Sequence, residues 1–160
     1  MRLLRPLVLA VLLLASASPA FADVSFFLGS NSSPSNRQVR GFALGGGSMI
    51  AFEFEFATNG EDLEDAAPGL KTFLFNALLQ TPIAIAGFQP YVTAGMGFYR
   101  ETVDATDHQE SALAFDSGAG VKTSLFGPLK LRLDYRVIKL RGDPLYSSVH
   151  RVYSGLHLVF

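Results

Sequence analysis

Eight segments that alternate apolar with polar or small residues, set apart by Gly, Pro, Asn, Asp and Ser clusters, predict an all-β fold. Three observations carry that expectation: a side-chain period of two, an even number of segments, and connections that alternate long with short. Together they describe an eight-stranded antiparallel up-and-down barrel.

The period is clearest in two places. Over Ile50 to Ala57, Ile50, Phe52, Phe54 and Phe56 share one face while Ala51, Glu53, Glu55 and Ala57 share the other. Leu129 to Arg136 repeats this, with Leu129, Leu131, Leu133 and Tyr135 opposite Lys130, Arg132, Asp134 and Arg136. A helix would scatter those charges around its circumference, whereas a strand collects them on one side. Six weaker segments complete the set: Val24–Gly29, Arg40–Gly47, Lys71–Gln80, Gln89–Arg100, Ser111–Leu125 and His150–Phe160. In Gln89–Arg100, Val92, Ala94, Met96 and Phe98 oppose Tyr91, Thr93, Gly95, Gly97 and Tyr99. Asp116, Gly118, Gly120, Lys122 and Ser124 form the polar face of Ser111–Leu125.

The connections Ser30–Val39, Thr58–Leu70, Glu101–Glu110 and Arg141–Val149 are long and polar. Gly47–Met49, Thr81–Phe88 and Phe126–Pro128 are shorter or less charged. Short turns at one end and longer loops at the other characterise barrels that span a bilayer. Glu61, Asp62, Glu64 and Asp65 lack calcium-loop spacing and read as a solvated acidic loop.

The N-terminus reads as an export signal. Arg2 and Arg5 precede the apolar run Leu7 to Leu14, and Ala20-Phe21-Ala22 supplies a small-residue cleavage site before Asp23. The run is too short for about 30 Å of hydrocarbon, which takes roughly 20 helical residues. The expected division is a signal peptide over 1–22 and one barrel domain over 23–160. The whole chain has 13 Lys+Arg, of which Arg2 and Arg5 fall in the leader, against 14 Asp+Glu. That mildly acidic balance gives no reason to expect nucleic acid as a partner. Without cysteine there is neither a disulfide framework nor a thiolate metal site.

Alternation alone leaves open which face looks inward. The polar face carries Glu53, Glu55, Asp116 and Asp134 against Lys122, Lys130, Arg132, Arg136 and Arg151, with His157 beside them. Near-balanced charges interleaved with Gly95, Gly97, Gly118 and Gly120 suit a packed, ion-paired lumen, because an eight-stranded barrel has room only for its own side chains. The expectation is therefore an eight-stranded antiparallel transmembrane up-and-down β-barrel. Glu53 and Glu55 would meet Arg132 and Arg136 across the interior as a plug. With the faces reversed, the same pattern would describe a periplasmic lipocalin-like binder; with a water-filled lumen, a narrow pore or small-molecule conduit.

Tyr153, Gly155, Leu158 and Phe160 resemble the C-terminal insertion signal of bacterial outer-membrane proteins, although a more polar residue is usual at the position of Tyr153. Gly41-Phe42-Ala43-Leu44-Gly45-Gly46-Gly47, Pro90-Tyr91-Val92-Thr93-Ala94-Gly95-Met96-Gly97 and the last segment resemble the small outer-membrane β-barrel domain family. That family includes the OmpA transmembrane domain, OmpX-like proteins and opacity-type surface antigens. The resemblance implies both termini in the periplasm, outer-membrane lipid and lipopolysaccharide as surroundings, and delivery by the assembly machinery through the last strand. The chain departs from the family in lacking Trp, so an aromatic girdle is expected from Tyr91, Phe98, Tyr135, Tyr153 and Phe160. No cell-wall-binding domain is expected after Phe160, and hence no tethering role.

Catalytic and cofactor sites are not expected. The lipid A deacylase type of small barrel carries a His-x-Ser pair, and neither His108, His150 nor His157 is followed by one. Ser147 and Ser148 lie near His150, with no acid placed to complete a hydrolytic group. The sequence predicts a structural or surface-interaction protein whose specificity lies in its loops, for partners the sequence leaves unnamed.

Overall fold

The computed structural model describes residues 22–160, so all of the expected leader except Ala22 lies outside the described residues. Eight strands follow in order: β1 (Ala22–Asn31), β2 (Arg37–Gly47), β3 (Ile50–Asn59), β4 (Gly69–Gln80), β5 (Phe88–Val103), β6 (His108–Phe126), β7 (Leu129–Leu140) and β8 (Ser148–Val159). Each pairs antiparallel with the next, and β1 closes the barrel on β8 from Asp23↔Val159 to Asn31↔Arg151. Closure leaves no unpaired sheet edge, the condition for strands to lie in hydrocarbon. Cleavage after Ala22 would remove the first residue of β1 and leave every other pair with β8 in place.

The phenylalanine face points outward. Phe52, Phe54, Phe73 and Phe75 are each about half exposed, while Ala51, Glu53, Glu55 and Ala57 are buried. In the pairing register Phe26, Phe42, Phe56, Phe73 and Phe98 form one continuous outward row across β1 to β5. Such a row is a large exposed apolar surface, which marks contact with lipid or another apolar partner. A lipocalin-like binder would need Phe52, Phe54 and Phe56 inside, and they lie outside.

Polarity inverts toward the loop end. There Val39, Leu70, Tyr99, Ile138, Leu140 and Val149 are buried inside. Their neighbours Arg40, Lys71, Arg100 and Lys139 are exposed outside. This explains why the strands run past their expected ends. β7 was expected to stop at Arg136 because the charged-in, apolar-out rule fails at Ile138 and Lys139. The backbone pairing continues to Leu140 regardless of which face is apolar.

The connection lengths correct a second expectation. Strand extension shortens the loop-end connections to 32–36, 60–68, 104–107 and 141–147, with a 3-10 turn at Asp104–Thr106. The turn over 81–87 at the opposite end is longer than the first and third of these, and it is tied by the bridge Ile85↔Phe88 and by Gln89 Nε2 donating to the Thr81 carbonyl at 2.7 Å. The other two turns are tight, and Gly127 takes φ 54°, a left-handed conformation that suits glycine.

The aromatic girdle is also corrected. Phe98, Tyr135 and Phe160 are exposed, but Tyr91 and Tyr153 lie in the lumen, 3% and 2% exposed. Tyr91 faces inward with Thr93, and its cross-strand partner is Gly120, where any β-carbon would strike the phenol ring. Arg136 likewise pairs with Gly118, and Phe27 with Gly155. Large interior side chains are thus matched to glycines on the neighbouring strand.

Candidate functional site

The interior gathers the densest set of charged side chains among the described residues, and it is layered. At its centre Arg136 of β7 reaches four carboxylates. Its guanidinium lies 3.1 Å from each of Glu53 and Glu55 on β3, Asp116 on β6 and Asp134 on its own strand. Arg132, two pleat repeats away on the same strand, pairs with Glu53 and lies 2.9 Å from Asp134. Arg151 of β8 donates to Glu55 at 3.0 Å, Asn31 Oδ1 at 3.0 Å and Thr72 Oγ1 at 3.2 Å. All three guanidinium groups are fully buried.

Neutral donors fill the remaining acceptor positions. Tyr91 donates to Asp134, and Tyr153 lies within 3.1 Å of Glu55 and 3.0 Å of Asp134. Arg132 Nε in turn donates to the Tyr91 hydroxyl at 2.7 Å. With its amide turned to satisfy both neighbours, Asn76 donates to Asp116 at 2.8 Å and accepts from Arg136. An ion in low dielectric is tolerated only with a counter-ion and its other hydrogen bonds met. Here both conditions hold for Arg132, Arg136 and Arg151.

The turn-end layer is looser. Lys122 donates to Gln80 Oε1 at 3.2 Å and Lys130 to Gln89 Oε1 at 3.1 Å, so neither ammonium pairs with a carboxylate there. A cavity of about 200 Å³ opens beside them, lined also by Asp23 and His157. His157 Nδ1 is 2.7 Å from Ser25 Oγ, and its Nε2 is 3.5 Å from Asp23 Oδ2. A serine, histidine and aspartate in sequence invite comparison with a hydrolytic triad. Ser25 is 1% exposed and does not line the cavity, and the trio ties β1 to β8.

The loop-end layer carries an apolar cluster, which the expectation of a packed, ion-paired lumen did not include. Leu70, Leu74, Ala114, Ile138, Leu140 and Val149 pack together with Tyr99 above the charges. Around them, buried Glu101 accepts from His108 Nε2 at 3.0 Å and from the Leu145 backbone N–H at 2.9 Å, fastening the loop over 141–147. Arg37 donates to the carbonyls of Pro68 and Ser33, fastening the first two loops.

Of the residues singled out from sequence, Glu53, Glu55, Asp116, Arg132, Asp134, Arg136 and Arg151 thus meet in one network, while Lys122, Lys130 and His157 sit apart from it. Gly155 faces Phe27 and Arg132 inside, Tyr153 joins the network, and Leu158 and Phe160 are outside. Sequence reasoning missed the roles of Tyr91, Asn31, Thr72, Asn76 and Glu101. The inward parity of Tyr91, Thr72 and Asn76 was readable, but their partners lie tens of residues away; Asn31 and Glu101 fall within the expected connections.

A charged, ion-paired interior inside an apolar sleeve is the construction of a transmembrane β-barrel. Solved structures agree. The N-terminal β-barrel domain of Pseudomonas aeruginosa OprF superposes with a TM-score of 0.67 over 88% of this chain and 98% of that one, at 15% identity. The outer-membrane protein Ail of Yersinia pestis, in a phospholipid nanodisc, gives 0.53 over 88% and 99%, at 17% identity. A de novo designed transmembrane β-barrel gives 0.57 over 89% and 98%, at 16% identity. These likenesses show that the fold is that of the small outer-membrane β-barrels. No protein-family model matches the sequence, and no curated protein matches it.

Proposed function

We propose that the chain is an integral outer-membrane protein with a structural or surface-interaction role and a lumen closed by its own side chains. The observation that carries this reading is the pairing of opposites across one wall: half-exposed phenylalanines outside, fully buried arginines inside. Outside a bilayer that sleeve would aggregate. The closed lumen argues against an open conduit, because the central ion network and the apolar layer above it lie in series. Both termini face the periplasm in this reading, the loops over 32–36, 60–68, 104–107 and 141–147 face outward, and the final strand engages the assembly machinery. The surrounding partners are outer-membrane lipid and lipopolysaccharide.

Fractionation of expressing cells tests it. The expected result is recovery in the outer-membrane fraction, release only by detergent, and a folded band on unheated gels that shifts on boiling. Recovery in the soluble periplasm overturns the proposal.

A further inference from the structure

Every acidic residue of the strands lies on the lumen-facing parity, whereas on the outward parity, beside His150 and Tyr135, the charged residues are Arg40, Lys71, Arg100 and Lys139. They all lie toward the loop end, just past the outward phenylalanines. Two of these cations are direct neighbours. Lys71 on β4 pairs in register with Arg100 on β5, which places their β-carbons about 5 Å apart. Thr58 on β3 and Ser111 on β6 flank them in the same row, and Arg40 on β2 follows next to Thr58.

Like charges directly opposite destabilise a sheet unless something neutralises them. No carboxylate does so: among the described residues none of the four cations forms a salt bridge, and the polar contact of Arg100 is its Nε donating to Ser111 Oγ at 3.3 Å. The terminal guanidinium nitrogens and the Lys71 ammonium are left free. Of the neighbouring loop's acids, Glu61 accepts from the Asp104 backbone N–H at 2.9 Å and Asp62 from that of Glu64 at 3.1 Å; both line the hollow beside Lys71 and Arg40 without pairing with either cation. Directly below the pair runs the row Phe56, Phe73 and Phe98, and the two rows enclose a groove of about 230 Å³ on the outer wall.

The geometry points to a binding site for a phosphorylated outer-leaflet glycolipid. Its phosphate sits between Lys71 and Arg100, with the hydroxyls of Thr58 and Ser111 to either side, and an acyl chain descends along the phenylalanines. A phosphate supplies the negative charge that the like-charged pair lacks and has oxygens enough for both donors. The apolar row fixes the orientation, headgroup toward the loops. The inference rests on the membrane reading above and adds to it a defined site.

The test uses the barrel refolded in phosphatidylcholine nanodiscs doped either with phosphorylated lipid A or with its dephosphorylated form, with retained glycolipid counted by native mass spectrometry. Wild type is expected to retain the phosphorylated form in preference. Lys71→Gln with Arg100→Gln is expected to weaken it on the order of 25-fold, roughly fivefold for each cation. Lys139→Gln, a cation flanked in register by Phe115 and Ser148, is expected to leave retention unchanged. Because all these side chains are exterior, the heat-modifiable band reports that each variant is folded. Equal retention of both lipid forms by a properly inserted wild type overturns the site alone. So does a loss in Lys139→Gln as large as in the double variant, since that is diffuse attraction. A barrel that enters neither disc overturns the membrane reading and the site with it.

Discussion

Arg136→Ala removes the group on which the interior converges, and its consequences can be followed carboxylate by carboxylate. Glu53 and Asp134 keep Arg132, and Glu55 keeps Arg151. Asp116 is different: Arg136 is its cation, and without it the Asn76 amide is the contact that remains. Leaving a buried charge without its partner costs about 3–5 kcal/mol. For a urea dependence of about 2 kcal/mol per molar, the unfolding midpoint in lipid vesicles should fall by about 2 M. Tyrosine fluorescence is the natural signal, since the chain has 5 Tyr and no Trp, and Tyr91 and Tyr153 sit in the network. The sharper test is Asp116→Asn in the same background. With the stranded charge neutralised, the second substitution should cost less than in wild type, with a coupling of about 1–3 kcal/mol. Independent, additive effects of the two substitutions, or a midpoint for Arg136→Ala that matches wild type, would refute the picture of a carboxylate held in place by Arg136.

Three further outcomes are expected. Arg132→Ala with Arg136→Ala should open a measurable conductance in single-channel recordings of the refolded barrel; a trace identical to wild type sinks the idea that ion pairs plug the lumen. Gly120→Val should destabilise by about 1–3 kcal/mol, because the new side chain runs into the Tyr91 ring, whereas Gly60→Ala, with nothing within 4 Å, should leave the urea midpoint in place. Phe54→Lys should cost about 2–4 kcal/mol in vesicles if the outward face meets hydrocarbon, and a negligible shift in midpoint would contradict that orientation.

Much of the fold was legible because Ile50–Ala57 and Leu129–Arg136 alternate without interruption, and the register then follows from closing antiparallel neighbours. The eight segments and the composition of the central network came from that one periodicity. The strand ends did not, since beyond Arg136 the apolar side chains change faces and a rule tuned to the membrane zone loses its signal. Tyr91 was assigned two incompatible places: parity with Thr93 put it inside, and its aromatic character put it in a girdle. Parity prevailed, because Gly120 leaves the space a phenol needs and Asp134 gives it an acceptor. The pairing of Arg151 with Glu55 and the contact of Ser25 with His157 span 96 and 132 residues. Such contacts depend on how far the strands are staggered around the barrel, which a single sequence does not encode locally.

The convergence on Arg136 has a bearing on how such a chain can reach its final state. Side chains from every strand but β2 supply partners to the central network: Asn31, Glu55, Thr72, Tyr91, Asp116, Asp134 and Arg151 among them. The β6–β7 hairpin alone brings Arg132 and Arg136 together with Asp116 and Asp134, and Glu53, Glu55 and Arg151 complete the set from other strands. A half-finished sheet would present guanidinium groups and carboxylates to hydrocarbon, at a penalty far above that of an exposed Leu or Phe in water. Entry by successive hairpins would bear that penalty, and a sheet that curls as it enters, with water kept around the arginines until the last seam, β1 against β8, draws shut, avoids it.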